Sequence, residues 1–598
     1  MARAGTWKPA GRRAPAWIVG VFALGSVLAG CSVVSPAVPP GEPVPALVLS
    51  VDQVGLLSGV VTITATPVNF EPSSVTFRRS GDSTPLGTVT SAPFEVVFDT
   101  TTVVDGLHAF TATGADETYT VLRTDLFRVR NNPNVVIVYV DDLDETTTPY
   151  WDALPQTQAL LADRGLTFSN SFVTSPSCCP ARASVLTGRY PHNTGVFDDS
   201  PPDGGFQVFR SSGAEADTVA TRLQGAGYAT AFLGKYVNGY PNQPTWVAPG
   251  WDEWFALVNP YRGYDYEVNA NGTIVHYGSD PADYQTDVLA ARSTEFVDGT
   301  EADDDRPFFL FVSPTAPHWP IPPAPRHQPN PFGNDDVPTR PNFDEPDVSD
   351  KPTWLRDGVP PLSSQQLFAQ LIDYTTRMGS LLAVDDLVAS LVARLEANGE
   401  LDDTVLVFTS DNGYSLGAHR LAGKGLPYEE SLRVPLVLAG PGIEVGTDDR
   451  FVTNVDLAPT VLDLAGLDGS DVDGRSLVPL LEGGSPPWSD DFLVEYNGTY
   501  GGPTGNWHTF DDVQNHLALG DTVRPPTFRA IRSVQWLYVE WYAGDVHEYE
   551  LYDMAADPYQ LDNLVATPAG AQAHAATTAA LQARLETLMA CAGPSCRS

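Results

Sequence analysis

Lysine is nearly missing from this sequence: 598 residues contain only Lys8, Lys235, Lys351 and Lys424. Lysine and arginine together number 34 against 74 acidic residues, a formal net charge of −40. That balance excludes general binding to nucleic acid or acidic surfaces, because no broad positive field exists to attract them. An anionic ligand would need a local cluster of cations. The few lysines are therefore informative, since a compact, movable ammonium kept in so acidic a chain argues for a specific task. Cysteine is scarce too, at five, which excludes a fold built on a dense disulfide framework. After the first 30 residues no apolar run is long enough to span a bilayer. What the chain does have is apolar material, 42% hydrophobic and 10% aromatic. That excludes disorder and, with this length, predicts a few domains.

Residues 1–30 carry Arg3, Lys8, Arg12 and Arg13 and no acid, followed by an apolar run from Trp17 to Leu28. They read as a secretory signal. Its ending, Leu28-Ala29-Gly30-Cys31, resembles a bacterial lipobox, which implies cleavage before Cys31 and a lipid on its thiol. The expected address is extracytoplasmic, anchored to the membrane through Cys31, or secreted if the lipobox is not used. Residues 31–44 are Pro-rich and read as an extended tether. Over 45–130 the pattern becomes short alternating strands, such as Val60–Thr66, Ser74–Arg78 and His108–Thr113, which predicts an all-β sandwich. With Phe98-Asp99-Thr100-Thr101 and Asp105-Gly106-Leu107-His108 it resembles a bacterial immunoglobulin-like (Ig-like) domain. Without clustered aromatics it reads as a spacer more than as a glycan-binding module.

A different grammar begins near residue 131 and runs to 490. Four continuous apolar stretches, Val135–Val140, Ala229–Leu233, Pro307–Val312 and Thr404–Thr409, read as strands buried on both faces of an α/β sheet. Each leads into polar residues: Asp141-Asp142, Gly234-Lys235, Ser313-Pro314 with His318 shortly after, and Asp411-Asn412. Ligands of open α/β sheets bind outside the carboxyl ends of strands. These groups are therefore expected at one common edge. Residues 322–361 read as a long loop over that edge and 363–399 as a helix. The remainder, 491–598, reads as a small α+β subdomain with strands near Phe528–Ile531 and Leu537–Tyr542 and an Ala-rich helix over about 569–590. Cys591 and Cys596 are placed to close a small loop.

Asp141, Asp142, Asp411 and Asn412 are hard oxygen donors, suited to Ca²⁺ or Mg²⁺ and lacking the His and Cys of a zinc site. Any one acidic pair could merely cap a turn. Two pairs, each after a buried strand, favour a metal. His318, tuned by nature for neutral pH, is the candidate general acid. Taken alone, Cys178 and Cys179 read as two small buried hydrophobes.

The stretch Ser177-Cys178-Cys179-Pro180-Ala181-Arg182, with Thr187-Gly188-Arg189-Tyr190-Pro191-His192 behind it, resembles the signature of type I sulfatases. The resemblance extends over about residues 131–564 and implies an alkaline-phosphatase-like α/β fold. It implies that Cys178 is oxidised by a separate formylglycine-generating enzyme to formylglycine (3-oxoalanine), whose hydrate attacks sulfur. One calcium ion is implied on Asp141, Asp142, Asp411 and Asn412, against residue 178. Arg182 would then hold the nucleophile oxygen ionised, Lys235 and Lys424 would cradle the sulfate, and His318 would protonate the leaving alcohol. Where many sulfatases have Gly-Lys-x-His, this chain has Gly234-Lys235-Tyr236-Val237-Asn238, which resembles the glucosamine-6-sulfatase branch. The partner that orients the formylglycine is then Asn238 or His192, with His419 a further candidate for contact with the site. The implied substrates are sulfated glycans such as 6-sulfated N-acetylglucosamine. Two alternatives remain at this point: a formylglycine-dependent phosphonate or phosphodiester hydrolase, and a non-catalytic surface glycan-binding protein.

Overall fold

Four stretches rich in β-branched and aromatic residues form the middle of a ten-stranded sheet: β1 (Asn134–Val140), β2 (Ala229–Gly234), β3 (Phe308–Ser313) and β4 (Thr404–Ser410). Each lies within a residue or so of its predicted span. Every residue in them is buried, because both sheet faces are covered. Along β1 the faces alternate: Val136, Val138 and Val140 enter one core, Val135, Ile137 and Tyr139 the other. The spatial order is β2-β3-β1-β4, all parallel. All four carboxyl ends therefore share one edge. Glu253–Leu257, Tyr266–Ala270 and Thr273–Tyr277 extend the sheet beyond β2, and Leu436–Ala439, Leu166–Phe172 and Gly446–Thr453 extend it beyond β4.

This computed structural model describes residues 31–597 apart from 53–56, 58, 83, 104–105, 130–131, 147–148, 301–305, 499–524 and 544–545. The signal segment 1–30 lies outside the described residues.

Two helices matter most for the sheet edge. Helix α1 (Cys178–Thr187) is buried along its whole length and ends at Gly188, whose φ of 70° suits glycine. A Cβ there would stand 2.9 Å from Val472, so the glycine of the signature is required twice over. Helix α2 (Ser364–Asn398) opens with a Ser363/Gln366 capping box and closes on Gly399 at φ 78°. Among the described residues no helix is long and apolar enough to cross a membrane.

The C-terminal part forms a four-stranded antiparallel sheet of Asp491–Tyr496, Thr527–Ser533, Trp536–Ala543 and Val546–Asp553. The single Ala-rich helix expected over 569–590 is two helices, Pro568–Ala573 and Ala575–Met589, interrupted at His574. Cys591 and Cys596 form a disulfide.

The chain divides into two compact units at Asn132/Pro133. The first holds two antiparallel sheets that share one apolar core containing Val61, Ile63, Val75, Phe77 and Phe110. One feature differs from expectation. Residues Cys31–Ser35, read as the start of the tether, form a strand paired antiparallel with Thr120–Thr124. Val33 and Val34 favour an extended, paired backbone, and the prolines that prevent pairing begin only at Pro36.

Candidate active site

The ends of β1 and β4 and the start of α1 meet at the sheet edge. One ligand atom from each of Asp141, Asp142, Cys178 and Asp411 can be chosen so that all four lie within 4.8 Å of one another, and all four residues are buried. Asp142 sits at φ 63°, a left-handed conformation unusual for a non-glycine residue. It is held there from both sides: its N–H donates to Asp411 Oδ1 at 3.0 Å, and its carbonyl accepts from Arg377 Nη1 at 3.1 Å.

Both rare lysines arrive at this cluster. Lys235, after β2, lies 2.5 Å from Asp141 Oδ2 and 3.3 Å from Cys178 Sγ. Lys424 lies 2.6 Å from Asp142 Oδ1 and also contacts Cys178 Sγ. Lys351, the third lysine of the described residues, is elsewhere, donating to the Leu561 carbonyl at 2.6 Å. His318 closes another side. Its Nδ1 donates to the Trp319 carbonyl, which leaves Nε2 facing Asp142 Oδ2 at 3.5 Å. Burial pushes His318 well below the ordinary histidine value, against the pull of Asp142. Burial likewise pushes the Cys178 thiol far up, against Lys235 and Lys424, so an unmodified Cys178 is a protonated and weak nucleophile. Asp142 is held below the usual carboxylate range: burial works against this, but Lys424, His318 and Arg377 outweigh it.

The donor set fits a hard cation. Asn412 Nδ2 donates to Asp142 Oδ1 at 2.6 Å, and this turns Asn412 Oδ1 into a buried oxygen with no hydrogen-bond partner, as Asp142 Oδ2 also is. Two such oxygens, flanked by the carboxylates of Asp141 and Asp411, are what calcium coordination needs.

Several placements differ from the sequence reading. Arg182 makes its hydrogen bonds to strand-end groups and none to the Cys178 side chain. Its Nε and Nη2 meet Asp411 Oδ2 at 2.9 and 2.8 Å, and Nη1 donates to the Lys235 carbonyl at 2.8 Å and to Ser313 Oγ at 2.7 Å. One turn into α1 its fork reaches the neighbouring strand ends, where carboxylate and carbonyl acceptors outcompete a thiol. His192 is engaged in the C-terminal subdomain, with Nδ1 at 2.7 Å from Glu495 and Nε2 at 2.9 Å from the Cys591 carbonyl. His419 is fully buried against Glu345, at 2.6 Å, and Tyr428. Neither imidazole contacts Cys178. Asn238 stands in the wall of a cavity beside Lys235.

The sequence reading missed Arg377 and Asp373, an i, i+4 pair on α2 joined at 2.7 Å. The helix also carries Asp385, Asp386, Arg394 and Glu396, so its local sequence does not single this pair out. The sequence reading also missed Asp199, which accepts from the Cys179 N–H and the Ser177 hydroxyl, each at 2.7 Å, and so caps α1. Nothing in local sequence marks a cap supplied from 20 residues away.

A buried thiol set between two ammonium groups beside an oxygen-rich acidic cluster suits an anionic ligand. The family model described as Sulfatase matches residues 133–467, and one described as N-sulphoglucosamine sulphohydrolase, C-terminal, matches 417–590. The chain belongs to the sulfatase family, and it is an enzyme. An N-acetylglucosamine-6-sulfatase of Capra hircus is 36% identical over 494 residues, covering 78% of this chain and 85% of that protein. Among solved structures, one described as bound to its substrate D-glucosamine-2-N,6-O-disulfate matches with a TM-score of 0.59 and 25% identity, covering 76% of this chain and 97% of that one. A phosphonate monoester hydrolase from Silicibacter pomeroyi shares the fold, with a TM-score of 0.57 at 22% identity over 76% of this chain and 94% of that one.

Proposed function

We propose that this sulfatase removes the 6-sulfate of N-acetylglucosamine in sulfated glycans, using a formylglycine at position 178 and one calcium ion. The observation that carries the reading is the placement of Cys178: its buried Sγ is set between Lys235 and Lys424 at the acidic cluster of Asp141, Asp142 and Asp411. The substrate follows from the N-acetylglucosamine-6-sulfatase relatives, which match over more than three quarters of the chain.

Asp141, Asp142, Asp411 and Asn412 would hold the calcium ion, which would supply positive charge to a sulfate oxygen and favour an ionised nucleophile. Formylglycine would supply a hydrated aldehyde as that nucleophile. Lys235 and Lys424 bind the sulfate oxygens, where charge grows in the transition state. Arg182 fixes Asp411 and ties the ends of β2 and β3 to it. His318 presents Nε2 for the proton that the leaving alkoxide requires. Its resting state is neutral, and an arriving sulfate monoanion brings the negative charge that favours protonation there.

The same reading places a formylglycine-generating enzyme upstream and an extracytoplasmic location, with the chain anchored through a lipid on Cys31. The N-terminal all-β unit then serves as an Ig-like spacer. None of its described aromatic residues is among the exposed large hydrophobics.

The test is mass spectrometry of the tryptic peptide Gly165–Arg182 from the native host, paired with turnover of N-acetylglucosamine-6-sulfate. Formylglycine at 178 and sulfate release that Cys178→Ala abolishes are expected. A free thiol in active enzyme would overturn the nucleophile, and faster cleavage of phosphodiesters than of sulfate esters would overturn the substrate.

A further inference from the structure

The antiparallel strands Glu253–Leu257 and Tyr266–Ala270 are joined by a loop that delivers Tyr261 to the reaction centre. The Tyr261 ring packs 4.6 Å from the His318 ring and 4.8 Å from the Lys235 ammonium. The same side chain, half-buried, stands in the wall of a cavity of about 560 Å³. Tyr261 therefore touches both the proton donor and a space that water can enter.

The loop is clamped at this residue. Gln285, fully buried, donates from Nε2 to the carbonyls of Pro260 and Arg262, each at 2.8 Å, the two residues that flank Tyr261. Its backbone N–H donates to the Gly263 carbonyl at 2.9 Å. A buried amide spent on the backbone either side of one residue fixes the point from which that residue's ring starts.

His318 needs a neighbour so fixed. Its Nδ1 bond to the Trp319 carbonyl sets the tautomer and leaves Nε2 for the departing oxygen. That bond does not fix the tilt of the ring, because χ2 of histidine lies in a broad well. A ring packed against the imidazole narrows the tilt, and general acid catalysis demands it, since the donor must stand within hydrogen-bond reach of the oxygen it serves. The phenol hydroxyl matters less: Oη accepts from Asn238 Nδ2 at a long 3.4 Å.

We propose that Tyr261, clamped by Gln285, is a positioning residue for proton transfer: its ring holds the His318 imidazole so that Nε2 reaches the oxygen of the breaking S–O bond. The electrons of that bond stay on the leaving oxygen, the Nε2 proton moves onto it, and His318 is left with its Nδ1 proton as the alcohol departs. The proposal rests on the reading of His318 as the proton donor.

The experiment compares kcat/KM for nitrophenyl sulfate and methoxyphenyl sulfate in the full, formylglycine-bearing enzyme. The two substrates are of similar size, but nitrophenolate leaves without help and methoxyphenolate needs the proton. General acid catalysis is worth about 10²–10⁴-fold, so Tyr261→Ala should lower the ratio of methoxyphenyl to nitrophenyl turnover by about ten-fold or more, and Tyr261→Phe should keep it within about three-fold of wild type. Gln285→Met, which frees the loop, should lower the ratio by about three-fold. Damage to Lys235 or to folding slows both substrates alike and leaves the ratio alone. In a His318→Ala background no donor remains to be positioned, and adding Tyr261→Ala should change the ratio by less than about two-fold. An unchanged ratio in Tyr261→Ala, or an equal fall with and without His318, overturns the proposal while leaving the proposed function intact. A ratio unaffected by His318→Ala removes His318 as the proton donor, and this proposal with it.

Discussion

Replacing Arg182 by Met tests the electrostatic frame of the site. Arg182 is 3% exposed and gives its charge to Asp411, itself fully buried. Removing one partner of such a pair leaves an uncompensated buried charge and costs about 3–5 kcal/mol. The catalytic unit, Pro133–Ser598, is large, and at about 2.1 cal/mol/K of unfolding entropy per residue its melting shifts by roughly 1 °C for each kcal/mol. The expected loss is thus about 3–5 °C by calorimetry in chelator. Calcium would return a positive partner to Asp411, so the deficit should narrow in saturating calcium. A shift under about 1 °C in chelator would refute the claim that Arg182 holds Asp411. An equal deficit with and without calcium would refute the assignment of Asp411 as a ligand of the ion.

Three further outcomes are expected. Asp142→Ala removes the carboxylate whose Oδ2 is buried without a hydrogen-bond partner; titration calorimetry should show calcium affinity falling at least a hundred-fold, and unchanged affinity would move the ion elsewhere. Asp199→Ala uncaps α1, costing about 1–2 kcal/mol of stability and about a hundred-fold in turnover through misplacement of residue 178; formylglycine occupancy measured on the same sample separates lost positioning from lost maturation. His192 is raised above the ordinary histidine value, because burial, which lowers it, is outweighed by the bond to Glu495. Its stabilising contribution is therefore complete below about pH 6.5 and is lost as pH rises through the raised value. Glu495→Gln should flatten the fall in melting temperature between pH 6 and 9, and an unaltered slope would remove His192 as its source.

The parts legible in the sequence share a physical property: they are local. A strand buried on both faces must be continuously apolar, so β1 to β4 announced themselves, and the polar residues that end them marked the sheet edge before any geometry was known. Scarcity did similar work for lysine, since two of the four, Lys235 and Lys424, stand at Cys178. What stayed hidden depends on partners far apart in the chain. Arg182 was visible as a signature residue, yet its target was not, because Asp411 lies 229 residues away and only the parallel order β3-β1-β4 brings the two together. Arg377 reaches the Asp142 carbonyl across 235 residues and is, in sequence, one charge among several in its helix. His192 and His419 show the converse case. Imidazole chemistry made them candidates, but a histidine satisfied by a carboxylate at 2.7 or 2.6 Å has the same one-letter code as one aimed at substrate. Residue type reveals what a side chain can do, whereas its neighbours in space decide what is left for it to do.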